Sequence, residues 1–203
     1  MSARRTLTMA GAIAATAVLA ACSGTASNTS SSGASTAATQ PGSAATEANP
    51  PGDIPDNQAY VAFSPAGGGY SVKIPEGWSR TSTTTTASFT DKLNSIQVSA
   101  APASTQPTVA SVNSTDVPQV KATVPKFAMG KVSTVVSGGG SAILLTYQGD
   151  SAPDRVTGKV VRDAFERYTF YRAGKRVDLT LSGPINADNV DPWRTVSDSL
   201  RWK

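Results

Sequence analysis

The stretch KRVDLTLSGPINADNVDPWRTVSDSLRW, Lys175 to Trp202, decides the fold. It begins with alternation: Val177, Leu179 and Leu181 point one way, and Asp178, Thr180 and Ser182 the other. A period of two belongs to a strand with one apolar and one polar face. After Gly183-Pro184 the period changes. Trp193, Val196 and Leu200 recur at i, i+3 and i+7, a single helical stripe. Asp191 is placed to cap that helix and Pro192 suits its first turn. Trp202 follows it into the same core. A strand with one apolar face and a helix with one apolar stripe bury both by docking helix on sheet, which is an α+β sandwich.

The chain upstream supplies the rest of the sheet. KVSTVVS and SAILLTYQ flank Gly138-Gly139-Gly140, and Lys159–Tyr171 and Lys175–Gly183 flank Arg172-Ala173-Gly174. Strand-like runs joined by short glycine turns read as hairpins, giving a four-stranded antiparallel meander. Its last strand predicts a sheet with one covered face and one more polar face. Earlier, AYVAF (Ala59–Phe63) and YSVKI (Tyr70–Ile74) read as strands, the second placing Tyr70, Val72 and Ile74 on one face before a Pro75-Glu76-Gly77 turn into Trp78. TASFT and SIQVSA form a hairpin around Asp91-Lys92-Leu93-Asn94. Ser79–Thr86 reads as a loop or exposed edge. Pro107, Pro118 and Pro125 break up Thr105–Phe127, leaving room for a short helix near Val109–Val112 or Val117–Ala122.

The N-terminal part follows different rules. Arg4 and Arg5 precede an apolar run from Leu7 to Ala21, 15 residues long and below the ~20 needed for a transmembrane helix. This is the layout of a bacterial export signal over residues 1–21. ARRTLTM matches the twin-arginine pattern only in part, which leaves both export routes open. The run ends in Leu19-Ala20-Ala21-Cys22, the lipobox pattern: small residues admit the peptidase, and the Cys22 thiol takes up lipid as a thioether before cleavage. Cys22 is therefore expected to carry an S-diacylglyceryl group, with N-acylation in addition. Two or three acyl chains, at ~0.8 kcal/mol per buried CH₂, anchor a protein stably to the outer face of the cell membrane.

Ser, Thr, Ala and Gly make up 22 of the 27 residues from Ser23 to Asn49. Such a segment cannot bury enough surface to offset its ordering entropy. Residues 22–57 are thus expected to be the lipidated cysteine and a disordered tether, spanning ~30–35 Å on average. Residues 58–203 are expected to be one domain.

Composition excludes much chemistry. The chain has no histidine, and its one cysteine goes to lipid. A Ser-His-Asp triad, a Cys-His pair and a zinc site of Cys and His ligands are all ruled out. The formal charge of +4 falls to +2 once Arg4 and Arg5 leave with the signal, so no nucleic-acid partner is indicated.

Weak motifs fare no better. DRVTGKVV lacks the first glycine of a phosphate-binding loop, since position 153 is Pro153, and a strand follows where a helix is required. Asp163 and Glu166, three apart on a strand, point to opposite faces and read as solvated charges rather than a paired-carboxylate site. Asp188, Asp191 and Asp198 lack the spacing of a calcium loop. No metal or cofactor site is expected. Trp78, Trp193 and Trp202 read as core packing. Arg162, Arg167, Arg172, Lys175 and Arg176, with Lys159, form the densest basic stretch. They are candidate contacts to anionic headgroups or wall polymer, although the interspersed Asp163, Glu166 and Asp178 also fit an ordinary charged surface.

YSVKIPEGW, VTGKVV and above all LTLSGPINADNVDPWRTVSDSLRW resemble the LpqN-type lipoproteins of mycobacteria and related actinobacteria, over roughly Tyr60 to Lys203. That resemblance implies a PsbP-like α/β/α sandwich and an accessory role in the cell envelope, and it brings no catalytic residues. The combined expectation is a non-enzymatic, lipid-anchored binding module for an envelope protein or wall component. A lipid or glycolipid carrier, built on an apolar cavity between sheet and helices, is the first alternative. A hydrolase using carboxylates or a Ser/Lys pair is the second.

Overall fold

A computed structural model of the chain describes residues 50–154 and 156–203. The expected signal segment, Leu19, Ala20, Ala21, Cys22 and the part of the expected tether up to residue 49 lie outside the described residues.

Seven strands form one antiparallel sheet: β3 (Ser79–Ser82), β4 (Thr86–Asp91), β5 (Asn94–Pro102), β6 (Ala128–Ser137), β7 (Gly140–Asp150), β8 (Arg162–Arg172) and β9 (Lys175–Pro184). Their spatial order is β3-β4-β5-β9-β8-β7-β6. The expected meander is its β6-to-β9 half. The β8–β9 turn is a two-residue loop in which Ala173 and Gly174 both take positive φ, +48° and +78°. That is the turn whose twist matches the flanking strands. A smaller antiparallel sheet joins β1 (Tyr60–Phe63), β2 (Tyr70–Pro75) and β10 (Arg201–Trp202), with β2 in the middle.

The main core fills the space between the two sheets. Val177, Leu179 and Leu181 of β9 and Phe170 of β8 lose all solvent contact there, meeting Tyr70, Val72 and Ile74 of β2. The helix Val190–Ser197 adds Trp193 and Val196 to this layer, and Leu200 follows just after it. The β6–β7 turn closes on the chain end: Trp202 Nε1 donates to the Gly139 carbonyl at 2.9 Å. A Cβ at Gly138 would overlap the Asp198 carbonyl, so only glycine permits this approach.

The second face carries the more polar residues, as expected, and it too is covered. A helical segment crosses it as an α-turn Val109–Ser111, a π-turn Val112–Asp116 and an α-helix Val117–Thr123. The two short helices expected as alternatives are thus one segment. The π-turn absorbs Pro118, which lacks the amide that an uninterrupted helix would need there. Val112 and Val120 pack on Ile143, Leu145 and Tyr147 of β7. Beneath the segment lies an ion network rather than more hydrocarbon: Arg176 bonds Asp116 and Asp178, and Arg167 reaches Asp178 at 3.1 Å.

Three expected boundaries shift. The strand placed at Lys159 begins at Arg162, because Asp154 Oδ1 accepts from the Val156 and Thr157 amides at 3.1 and 2.7 Å and folds the preceding residues into a turn. Asp191 does not cap the last helix but bonds Arg194 at 2.8 Å within the first turn. The capping position is held by Asn189, whose side chain is used elsewhere. Residues 50–57, expected to belong to the tether, are part of the fold. Ile54 is 4% exposed in the main core. Asn189 Oδ1 accepts from the Ile54 amide at 2.9 Å, and its Nδ2 donates to the Gly52 carbonyl and to Asn94, each at 3.0 Å.

Asn189→Ala should therefore lower stability by about 1–3 kcal/mol, the cost of leaving buried amide partners unmet. It should also open residues 50–57 to proteolysis. Urea unfolding with limited digestion checks this, and an unchanged midpoint and cleavage pattern would show that Asn189 is no latch.

Candidate functional site

Where β8 emerges at one end of the second face, alternation turns Asp163 and Phe165 toward the side of the helical segment. Ser182 of β9 lies opposite Phe165, and Ser95 of β5 opposite Ser182. Together they floor an open cleft of about 800 Å³. Three separate elements wall it: Leu93 from the β4–β5 hairpin, Val124 and Pro125 just past the helical segment, and Val161 from the loop before β8. Phe165 is held flat by stacking on Tyr147, with ring centroids 4.6 Å apart and planes within 5°. Ser95 and Ser182 hydrogen-bond to each other at 2.7 Å.

Asp163 is the unusual group. It is 6% exposed, and among the described residues no donor lies within hydrogen-bonding distance of its Oδ1. Burial, reinforced by the nearby Asp150 charge, pushes its carboxyl up to about 6. The expectation of a solvated strand charge is corrected here. Alternation gives the face a residue occupies but not what stands over that face. Glu166 does lie on the opposite face, where it accepts from the Tyr168 hydroxyl at 2.7 Å.

The cleft's other charges are already engaged or exposed. Asp150 bonds Lys126 at 2.8 Å and Arg162 at 3.2 Å, and these partners, Lys126 foremost, hold its carboxyl below the usual range. Asp154 is held low by the amide and hydroxyl of Thr157 and the amide of Val156. Lys92 and Lys159 sit on the exposed rim.

The basic residues singled out in the sequence do not gather into one patch. Arg162 sits at the cleft end of β8, bonded to Asp150 and to the Lys126 carbonyl at 2.7 Å. Arg167 and Arg176 are turned inward to Asp116 and Asp178. Arg172 is exposed at the far hairpin, and Lys175 Nζ there donates to the Gly68 carbonyl at 2.7 Å. A second concavity of about 600 Å³ lies at that far end, where the Arg80 guanidinium stands 4.6 Å over the Phe63 ring. Among the described residues it holds no buried unmet group, so the Asp163 cleft is the stronger candidate.

The three tryptophans pack against the main core, as expected. The space between helical segment and sheet, where a lipid carrier would need its cavity, is filled by Val112, Val120, Ile143, Leu145 and Tyr147. The hydrogen bond from Lys203 Nζ to Ser64 Oγ, at 3.0 Å, is exposed rather than built into a cleft. Sequence reasoning missed the cleft because its walls come from three segments far apart in the chain. The signal available was Asp163 itself, an acidic residue on the same strand face as Phe165.

No family model matches the chain, and no curated protein matches its sequence. Solved structures match its fold. The solution structure of cyanobacterial PsbP (CyanoP) from Synechocystis sp. PCC 6803 is similar over 72% of this chain and 94% of that one, at 15% identity and a TM-score of 0.50. The crystal structure of LpqN, involved in cell envelope biogenesis of Mycobacterium tuberculosis, is similar over 72% of this chain and 85% of that one, at 15% identity and a TM-score of 0.41. The Saccharomyces cerevisiae Ran-binding protein Mog1p covers 64% of this chain with 79% of its own, at 10% identity and a TM-score of 0.44. The likeness is one of fold and not of family. It is carried by CyanoP, and the domain has the PsbP-like fold expected from the sequence.

Proposed function

We propose that this chain is a cell-envelope lipoprotein of the LpqN type, anchored at Cys22 to the outer face of the cell membrane. Its PsbP-like domain serves there as a non-catalytic binding module for an envelope protein or wall component. The observation that carries the anchoring is Leu19-Ala20-Ala21-Cys22 at the close of an apolar run too short to span a bilayer. Among the described residues no helix is long and apolar enough to cross a membrane, which is compatible with a lipid as the anchor. Binding as the domain's task is supported by an open cleft floored by strands β5, β8 and β9, which set two mutually bonded serines and one carboxyl beside Phe165. A fold shared with CyanoP is consistent with it and assigns no activity.

The native protein extracted from membranes should begin at Cys22 and carry the mass of a diacylglyceryl group and an N-acyl chain. Cys22→Ala should abolish that mass and shift the protein out of the detergent phase. A native N-terminus elsewhere, or full membrane retention of the variant, would overturn the anchoring. The detergent-solubilised full chain should co-sediment with isolated cell walls without altering them. Turnover of a wall substrate that is lost on one point substitution would replace the binding module with an enzyme.

A further inference from the structure

We propose that the cleft over Asp163 recognises a small organic ammonium compound, a primary amine carried on a short apolar chain. This deepens the binding-module reading and rests on it. The volume, about 800 Å³, lies within the range of small-molecule sites. Two features of the lining define the ligand. Leu93, Val124, Pro125, Val161 and Phe165 offer hydrocarbon, which asks for an apolar chain. The floor offers one carboxyl whose Oδ1 finds no donor among the described residues.

The protein meets its other acids here, since Asp150 has Lys126 and Arg162, and Asp154 has its own turn. Asp163 alone is buried without a donor among the described residues. A buried carboxylate without a partner is costly, and such a cost persists in a fold when a ligand relieves it. A bare metal ion would need several oxygen ligands, and the described residues hold no group of three or more acidic, cysteine or histidine side chains able to supply them. An ammonium group asks for less: one carboxylate plus the Ser95 and Ser182 hydroxyls as further acceptors.

The charge on Asp163 sets the pH response. Facing it are Asp150 from β7, Asp154 and Lys159 from the loop, and Lys92 from the hairpin, while the residues lining from the helical side, Thr123, Val124 and Pro125, are uncharged. With its carboxyl at about 6, Asp163 is mostly neutral at pH 5 and ionised at pH 7.5, whereas an alkylamine stays protonated at both. Ammonium binding therefore strengthens as pH rises. The empty site runs the opposite way. A folded-state value raised above the ordinary carboxylate value means the native state holds its proton longer, so stability falls as pH rises between about 4 and 6.

The test uses the full chain and hexylammonium chloride, followed by amide chemical shifts in two-dimensional NMR. Saturable shifts should centre on Leu93, Ser95, Asp163 and Ser182. The dissociation constant should be about 10-fold larger at pH 5 than at pH 7.5, the ratio expected from the ionised fraction of Asp163. Asp163→Asn should weaken binding at least about 10-fold at pH 7.5 while raising the thermal midpoint of the empty protein there, because it removes an unmet charge. Glu166→Gln, on the opposite face, should bind as the parent does. Equal binding by Asp163→Asn, equal binding of sodium hexanoate, shifts centred elsewhere, or no saturation at millimolar amine would each overturn the assignment. A protein that ignores the amine yet still co-sediments with cell walls overturns this inference alone and leaves the binding-module reading standing.

Discussion

Replacing Phe170 with alanine should cost the domain about 3–5 kcal/mol, the range for truncating a fully buried phenylalanine. Phe170 is 0% exposed and sits where three parts of the molecule meet. Its strand neighbours are Ala142 of β7 and Val177 of β9. Its ring lies 6.2 Å from that of Tyr168, and its edge faces the Gly139 backbone at the turn that receives Trp202. The surroundings cannot collapse into the space, because two of the lining segments are strands fixed on both sides by ladder bonds. Urea unfolding should show a lower midpoint with an unchanged slope. A loss below about 1 kcal/mol would mean that the core repacks around alanine and that this junction is softer than its burial implies.

Asp116→Ala should cost about 2–4 kcal/mol for a different reason. Asp116 is 5% exposed at the end of the π-turn and is the carboxylate by which the helical segment grips the sheet. Arg176 binds it through Nη2 and binds Asp178 through Nε at 3.0 Å. Thr169 Oγ1 donates to the same Asp178 at 2.8 Å. Removing Asp116 leaves two guanidinium groups facing one carboxylate. Breaking a fully buried pair costs about 3–5 kcal/mol, and the figure is lowered here because both arginines keep roughly a fifth of their side chains in water. Hydrogen exchange should quicken across residues 109–123 more than across β9. The double variant Asp116→Leu with Arg176→Met should recover much of the loss, since apolar replacement of an internal ion pair is often neutral or better. No recovery would show that the network fixes the segment's position in a way that packing cannot replace.

How much of this was legible follows from the range over which each signal acts. The β6-to-β9 meander was readable because alternation and glycine turns are local, and Val177, Leu179 and Leu181 are as buried as their spacing requires. The stripe Trp193, Val196 and Leu200 was readable for the same reason. Residues 50–57 were misread because their composition is that of a linker. Ile54 is their only large apolar residue, and what holds them is Asn189, 135 positions away from Ile54. Pro118 signalled a break where the chain instead widens into a π-turn, a state that propensity does not predict. Asp163 was misread because a strand pattern reports direction, while its burial comes from a hairpin, a helix end and a loop that lie elsewhere in the sequence. The basic stretch failed as a patch because Arg167 and Arg176 have partners on another element.

The position of β9 bears on how the chain can be made. It is the central strand of the seven and also the last of them to be synthesised. A chain delivered N-terminus first holds β3-β4-β5 and β6-β7-β8 as two separate local assemblies, with the edges of β5 and β8 both unpaired. Neither can join the other until β9 arrives to pair Ser95 with Ser182 and Phe165 with the same residue. Contacts of such long sequence separation form slowly, and open edges invite wrong partners while they wait. The seven-stranded sheet therefore stays in two unlocked halves until its last strand is delivered, and a single late event closes it.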